Sequence, residues 1–345
     1  MASNTLQVFV HTLRYEAEGI ISIELRAPDQ KDLPAFEAGS HIDLHLPNGM
    51  VRSYSLLNDS SERHRYVLGV LKDAKSRGGS KAVHEQLRVG MRIEISSPRN
   101  NFALHENATH SVLVAGGIGV TPILCMARRL KSLGKSFEVL YFARSRQHAA
   151  FLDDVKAVAA NVHLHFDNEQ SGPPDLKALL AARNTANAHY YACGPAVMLD
   201  AFESHCQALG YANAHIERFA AVEVAASTNA KQHYTVELKR SGKVIEITPD
   251  ISLLAALQAA NAEVMTSCEE GICGSCETRV LEGVRSFVER DGVDAILGPI
   301  ASGNCLAVAP LAEQLRKFTI LSDCGTQRVF EERSYEYVFR AGAHS

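Results

Sequence analysis

Apolar and polar residues alternate with a period of two through most of the first hundred positions. LQVFVHTLRY, ISIELRA, HIDLHL, VRSYSLL, RYVLGVLK and MRIEISSP each read as a short strand, with Gly, Pro, Asn and Asp clustered between them. This run of strands with few helical stretches predicts a small antiparallel β-barrel over residues 1–106. The period then changes. SVLVAG, FEVLYFA, VHLHF and AHYYACG are buried-looking strands, and they alternate with the helical patterns TPILCMARRLKSLG, AAFLDDVKAVAA, DLKALLAAR and AVMLDAFESHCQALG. Strand and helix in alternation predict an open, mostly parallel α/β sheet over residues 107–222. Residues 223–231 are small and carry no hydrophobic period, as a linker would. From residue 232 the pattern gives two strands around a Ser-Gly turn (QHYTVELKRSGKVIEITP), a helix (ISLLAALQAANA) and a cysteine-rich loop, which open a third unit over residues 232–345. No internal repeat or low-complexity tract interrupts this order.

The 345 residues suit two or three compact units. Lys and Arg total 35 against 39 Asp and Glu, a formal charge of −4 with no block of one sign, so neither a nucleic acid nor a membrane surface is an expected partner. The first residues, MASNTLQVFVHTLRYEAEG, lack the basic-then-apolar order of a signal peptide, and no apolar run reaches the roughly 18 residues of a membrane span. A cytoplasmic protein is expected. There the eight cysteines would stay reduced, and their crowding toward the C-terminal end points to metal rather than disulfides.

Cys268, Cys273 and Cys276 stand in the stretch SCEEGICGSCE. The spacing Cys-x4-Cys-x2-Cys is the plant-type ligand pattern of a [2Fe-2S] cluster, whose fourth thiolate comes from farther along the chain. Cys305 is the expected fourth ligand, with 28 residues between it and Cys276. Gly271 and Gly274 suit a loop that must wrap a cluster with its amides turned toward sulfur. Zinc is the nearest rival, but zinc sites usually pair their thiols as Cys-x2-Cys twice, and no second close pair exists here. Cys324 could replace Cys305 only through a longer excursion of the chain.

A [2Fe-2S] centre accepts one electron whereas a nicotinamide delivers two as hydride, so a flavin is needed between them. The nicotinamide candidate is SVLVAGGIGVTPILCMA. A buried strand leads into Gly116, Gly117 and Gly119, Thr121 is placed to cap the next helix, and Pro122 suits its first turn. Amides at that helix N-terminus could meet a pyrophosphate. A second strand, Gly-Pro turn and helix follow in YYACGPAVML, at Cys193, Gly194 and Pro195. Both turns would lie at the carboxyl ends of strands, where open α/β sheets bind ligands. The flavin candidate joins two stretches. In VRSYSLLND, Arg52 offers a fixed positive fork for a phosphate, while Tyr54 and Ser55 alternate faces near a ring system. In KSRGGSKAVHEQL, Gly78, Gly79 and Ser80 precede a helix and offer amides and a hydroxyl to a terminal phosphate. Taken singly, each stretch reads equally well as an ordinary strand, turn or loop.

Taken in order, these residues resemble the phthalate dioxygenase reductase family, the reductases of Rieske-type aromatic-ring and demethylating oxygenases. Arg52-Ser53-Tyr54-Ser55 resembles its flavin motif and Gly78-Gly79-Ser80 its phosphate motif. Gly116 to Pro122 and Cys193-Gly194-Pro195 resemble its two nicotinamide motifs, and Glu217 in HIERF resembles the residue held close to flavin and nicotinamide. The resemblance implies an antiparallel β-barrel flavin domain, an α/β parallel-sheet nicotinamide domain and an α+β plant-type ferredoxin (β-grasp) domain. It further implies FMN, a [2Fe-2S] cluster, a terminal oxygenase partner, and Tyr54, Ser55, Cys193 and Glu217 at the reacting centre. NADH is favoured over NADPH: Arg144, Ser145 and Arg146 could meet a 2′-phosphate, but family members with similar arginines take NADH, and Asp167 is a candidate ribose-hydroxyl acceptor. One departure stands out, since forty residues follow Cys305, including the aromatic run RSYEYVFR. They read as a core-covering extension or a partner-docking element. Two rival functions remain at this level, a stand-alone NAD(P)H reductase for quinone, ferric or P450 acceptors, and a redox-sensing or binding protein without turnover.

Overall fold

Along Arg92–Ser96, residues that alternate in polarity alternate in burial. The computed structural model describes residues 5–74, 76–219, 234–238, 241–248, 250–262 and 264, and the backbone of 295–298, 318–322 and 338–341. The chain divides into two compact units, Met1–Cys276 and Glu277–Ser345. The first begins with β1 (Thr5–Ala17), β2 (Ile20–Arg26), β3 (Ser40–His45), β4 (Val51–Ser55), β5 (Tyr66–Leu71), helix α1 (Gly79–Gln86), β6 (Arg92–Ser96) and β7 (Arg99–Asn100). Their sheet order is β4-β3-β6-β1-β2-β5 with β7 on β3, and every pairing is antiparallel. A bridge between Leu56 and Leu68 joins the two ends of that order and closes the sheet on itself, as the barrel expectation requires.

The second part comprises β8 (His110–Gly116), a 3-10 turn at Gly117–Gly119, α2 (Val120–Ser132), β9 (Phe137–Ala143), α3 (Leu152–Val158), β10 (Val162–Phe166), α4 (Leu176–Ala181), β11 (Ala188–Cys193), α5 (Ala196–Ala208) and β12 (Ala214–Glu217). All five strands are parallel in the order β10-β9-β8-β11-β12. Consecutive Val112, Leu113, Val114 and Ala115 are fully buried, because a parallel sheet is covered on both faces and its strands read as unbroken apolar runs. The helix expected across AAFLDDVKAVAA begins only at Leu152, since Phe151 takes a left-handed φ of 57°.

Side-chain alternation along these strands sorts the core into two layers. Leu113, Ala115, Tyr191 and Cys193 join one apolar cluster that runs through Leu124 and Met126 of α2 into the barrel residues Val8, Leu25, Ile42 and Leu68. Their neighbours Val112, Val114, Tyr190 and Ala192 pack on the opposite face with Leu180, Leu199 and Phe202 of α4 and α5. The barrel and one face of the parallel sheet therefore share a core. Polar ties reinforce it. Arg128 of α2 donates to the Leu57 carbonyl of the barrel at 2.6 Å and to Asp154 at 2.6 Å, and the Glu18 amide donates to the Gln147 carbonyl at 2.8 Å.

Still within the first unit, β13 (Tyr234–Leu238) and β14 (Lys243–Ile247) form the expected hairpin with Gly242 at φ 65° in its turn. Helix α6 (Leu253–Ala259) is capped by the Ser252 hydroxyl, which accepts from the Ala255 amide at 3.2 Å, and its Ala256 and Leu257 pack on Ile245 and Ile247. In the second unit β15 (Ala295–Gly298), β16 (Phe318–Ser322) and β17 (Val338–Ala341) make a parallel three-stranded sheet. The last two of these strands belong to the forty residues that follow Cys305. The linker 223–231 and Cys268, Cys273, Cys276, Cys305 and Cys324 lie outside the described residues.

Replacing Arg128 by Met keeps the apolar stem but leaves the Leu57 carbonyl without that donor. The exposed Asp154 arm contributes little, so the expected loss is about 1–3 kcal/mol, read as a lower urea midpoint at unchanged slope.

Candidate active site

Two turns converge at the carboxyl ends of the central strands β8 and β11. The order of the parallel sheet reverses between β8 and β11, so the loops leaving these two neighbours diverge and open a crevice between them. The loops touch backbone to backbone. A Cβ on Gly119 would lie 2.1 Å from the Cys193 carbonyl oxygen, and one on Gly194 would lie 3.0 Å from Gly116 Cα. Only glycine permits that approach, which is why the two predicted nicotinamide stretches meet. Pro195 and Met198 press on Gly116 from the start of α5. Gly117, at φ 54°, has nothing within 4 Å of where a Cβ would stand, so its backbone faces open space of the kind a phosphate-bearing ligand needs. Thr121 differs from expectation. The residue before α2 is Gly119, no side chain caps the helix, and the buried Thr121 hydroxyl donates to the Ile118 carbonyl at 3.0 Å. The intervening 3-10 turn carries the chain into the helix and leaves Thr121 within it, beside Pro122 of the first turn.

The two predicted flavin stretches also meet. Gly78 precedes α1 in the left-handed conformation with φ 110°, and a Cβ on Gly79 would fall 2.7 Å from Arg52 Cγ and Nε. The Arg52 guanidinium thus lies over the amino end of α1, where cation and helix dipole act with one sign on an anion. Arg52 also donates to its neighbouring Val51 carbonyl at 2.8 Å. The Ser80 hydroxyl accepts from the Asp73 amide at 3.2 Å, which fixes the loop before the helix.

Opposite residues on paired strands share a face. Ile42 faces with Tyr54 and Leu44 with Arg52, while His41 shares the other face with Ser55 and Asp43 with Ser53. Tyr54 is partly buried, and burial pushes its phenol up to about 12. Ser53 donates to Asp43 at 2.7 Å, and Arg99 donates to the other oxygen of Asp43 at 2.6 Å. This Ser53–Asp43–Arg99 arrangement braces the strand. His41 is a residue that the sequence reading did not single out: it is buried, yet neither ring nitrogen has a partner among the described residues. Burial and the Arg99 charge hold it below the usual histidine range.

The link between barrel and sheet at this point is short. The Ser55 hydroxyl donates to Glu217 Oε2 at 3.3 Å, across 162 positions of sequence, and Glu217 pairs with Cys193 in register on β12 and β11. Burial pushes the Glu217 carboxyl up to about 8, against the lowering effect of Ser55. Burial and the neighbouring Glu217 raise the Cys193 thiol well above its ordinary value. Both groups are neutral near pH 7.

Arg144 follows β9 and Asp167 follows β10 on the adjacent strand, and the Asp167 amide donates to the Ala143 carbonyl at 3.1 Å. Arg144 is exposed. Arg146 is held instead by Glu169 at 2.8 and 3.0 Å, with its guanidinium 4.5 Å from the centre of the Phe166 ring.

Residues 236–297 match the model of the 2Fe-2S iron-sulfur cluster binding domain. The chain is 48% identical over 275 residues to a phenoxybenzoate dioxygenase subunit beta of Ectopseudomonas oleovorans, covering 80% of this chain and 85% of that one. It is 43% identical over 285 residues to a vanillate O-demethylase oxidoreductase of Pseudomonas sp. (strain HR199 / DSM 7063), covering 81% and 88%. Among solved structures it resembles phthalate dioxygenase reductase, described as a modular structure for electron transfer from pyridine nucleotides to [2Fe-2S], with TM-score 0.66 and 36% identity over 79% of this chain and 85% of that one. It also resembles an intact type IV self-sufficient cytochrome P450 monooxygenase with TM-score 0.73 and 36% identity, where 81% of this chain spans 36% of the longer one. The fold and site define a flavin and iron-sulfur oxidoreductase. The chain belongs to the phthalate dioxygenase reductase family.

The raised Glu217 carboxyl fixes a pH dependence. The folded chain keeps a proton that the unfolded chain loses above the ordinary value of 4.5, so folding stability declines as pH rises from 4.5 to about 8 and levels off beyond. Glu217→Gln is expected to remove that decline, measured by urea unfolding of both proteins across the window.

Proposed function

We propose that this chain is the reductase component of a two-component Rieske-type aromatic-ring or demethylating oxygenase, carrying electrons from NADH through FMN to a [2Fe-2S] cluster and on to the terminal oxygenase. The observation that carries the reading is the Ser55–Glu217 hydrogen bond, because it brings the flavin motif of the barrel against the carboxyl end of the parallel sheet. The named relatives supply the class of partner, as dioxygenase and demethylase systems.

The residues present fit a flavin mononucleotide. Arg52 with Gly78, Gly79 and Ser80 would hold the phosphate, and the close packing of Arg52 on a residue without a Cβ supports this. Ser53 supports the same strand through Asp43. Tyr54 and Ser55 would flank the ring on opposite faces of β4, and the unpartnered His41 shares the Ser55 face. Bound flavin supplies the conversion of a two-electron hydride into single electrons. Gly116, Gly117 and Gly119, with Thr121 and Pro122 opening α2, would leave backbone exposed to the dinucleotide. Gly194 and Pro195 form the opposite wall. Asp167 and Arg144, which follow the neighbouring strands β10 and β9, would meet the adenosine ribose, and the engagement of Arg146 by Glu169 supports NADH over NADPH.

Glu217 holds its proton near neutral pH. A neutral carboxyl spares the crevice a buried negative charge beside the hydride path, and the Ser55 hydroxyl fixes its position. The neutral Cys193 thiol, fully buried, would back Glu217 in register on β11. Catalysis by these groups is chiefly positioning, since fixing two reactants in contact removes the cost of their encounter. Cys268, Cys273, Cys276 and Cys305 would hold the cluster, consistent with the cluster-binding match over 236–297 for the first three.

Anaerobic titration of the purified protein with NADH tests the chain of carriers. Bleaching of flavin and iron-sulfur bands together, with FMN released on denaturation, is the expected result; iron-sulfur absorbance without bound flavin would refute it. Cys273→Ser is expected to abolish electron output to the oxygenase while NADH still bleaches the flavin. Ser55→Ala is expected to slow flavin reduction about tenfold, the equivalent of one hydrogen bond of about 1.4 kcal/mol, in stopped-flow traces at saturating NADH.

A further inference from the structure

At the amino-terminal side of the same sheet face stands a group of side chains that the proposed electron path does not use. His105 comes from the segment between β7 and β8, His189 from β11 and His215 from β12. One ligand nitrogen from each lies within 4.8 Å of the others. His189 Nδ1 and His215 Nε2 are 3.0 Å apart, with ring planes 10° apart and centroids at 5.2 Å. A nitrogen contact that short at that centroid distance sets the two rings nearly edge to edge, so their nitrogens point toward one another. His105 lies against both, with centroids at 4.6 Å from His189 and 5.0 Å from His215.

The group is built rather than accidental in its packing. Tyr191 sits beneath it, its ring 4.7 Å from that of His215 and 20° from parallel, and its hydroxyl accepts from the His105 amide at 2.8 Å. The sheet fixes the other two. Tyr191 pairs with His215 in register, and His189 lies two residues back on β11, so all three point from one face. His105 is exposed and the other two are partly buried, which leaves a route in from solvent. His189 and His215 lie below the usual histidine range, chiefly through burial, so both rings are neutral near neutral pH, and the 3.0 Å contact is a hydrogen bond whose proton a metal ion would displace.

We propose that His105, His189 and His215 bind a divalent transition-metal ion of borderline softness, for which Zn2+ is the probe. Imidazole nitrogen suits such ions, and three histidines with a fourth position left to water form a recurrent zinc arrangement. Nitrogens at 2.0–2.1 Å from zinc stand about 3.4 Å apart in a tetrahedron. The pair at 3.0 Å is near that spacing, and binding would turn the two rings so that nitrogens now facing one another converge on the ion, with the exposed His105 supplying the third. A bound ion would tie the segment leaving the barrel to the two strands that end at Cys193 and Glu217. The inference stands on this cluster alone and does not rest on the reading of the electron path.

The test uses the full chain with its flavin and cluster intact, stripped of loose metal and dialysed against ZnSO4, with zinc and iron both counted by elemental analysis. One zinc per chain above the iron-sulfur content is expected, with affinity lowered at least about tenfold by His105→Gln and the site lost in His189→Gln/His215→Gln. His105→Gln is the safer variant, since the backbone bond to Tyr191 survives it. Substitution with Co2+ should give visible d–d bands that His105→Gln alters. No zinc bound by the wild type, or the same zinc bound by wild type and His105→Gln, would overturn the proposal.

Discussion

The apolar core shared between barrel and parallel sheet is the constraint on which the site depends. Neither half alone places a flavin motif against a nicotinamide crevice. Leu113, Ala115, Tyr191 and Cys193 turn one face of the sheet toward α2 and the barrel, and the same alternation sends Val112, Val114, Tyr190 and Ala192 to the outer helices. Because the period of a strand is two, a slip of one residue in β11 would exchange its faces and move Cys193 off the side that meets the barrel. The register that buries the core is therefore the register that positions the chemistry. Arg128, Glu18 and Gln147 add polar ties at the margin, but the apolar contact is the extensive one.

The architecture was legible because it is written in periodicity. Six alternating segments gave the barrel and the strand-helix alternation gave the sheet, and both are periodic over long stretches, where pattern reading is strongest. The glycine turns were legible for a similar reason, since Gly119 and Gly194 stand where no side chain fits. What pattern could not supply was partnership across the chain. Thr121 looks like a helix cap in sequence, yet one turn of 3-10 helix moves it inside α2. Ser53 carries no sign in the sequence that its hydroxyl donates to Asp43, which Arg99 holds in turn from a neighbouring strand. Arg146 looks like a free cation until Glu169 and Phe166 are folded against it. His41 carries no local signal at all, because its significance is the lack of a described partner for a buried ring. The clustered histidines His105 and His189 are likewise 84 positions apart, and they meet with His215 only once β11 and β12 are paired.

Charge in the crevice follows from the same burial. On the barrel, Arg52 and the amino end of α1 combine positive potential, suited to a phosphate. In the crevice the two ionisable groups, Cys193 and Glu217, are both held neutral. Such a gradient suits a ligand with anionic ends and a reacting ring that must come close to protein without meeting a fixed negative charge.

This arrangement also explains why Glu217 can be tolerated where it stands. A half-buried carboxylate without a cation beside it carries a desolvation cost, which the single hydrogen bond from Ser55 offsets only in part. The proton resolves the conflict, since a neutral carboxyl can accept from Ser55 through one oxygen and keep an O–H to donate through the other. The side chain then serves as a polar link from sheet to barrel through Ser55 rather than as a charge. On the proposed reading, that is what a hydride-transfer crevice requires of it: polar enough to hold Ser55 in place, and uncharged while the reacting rings approach.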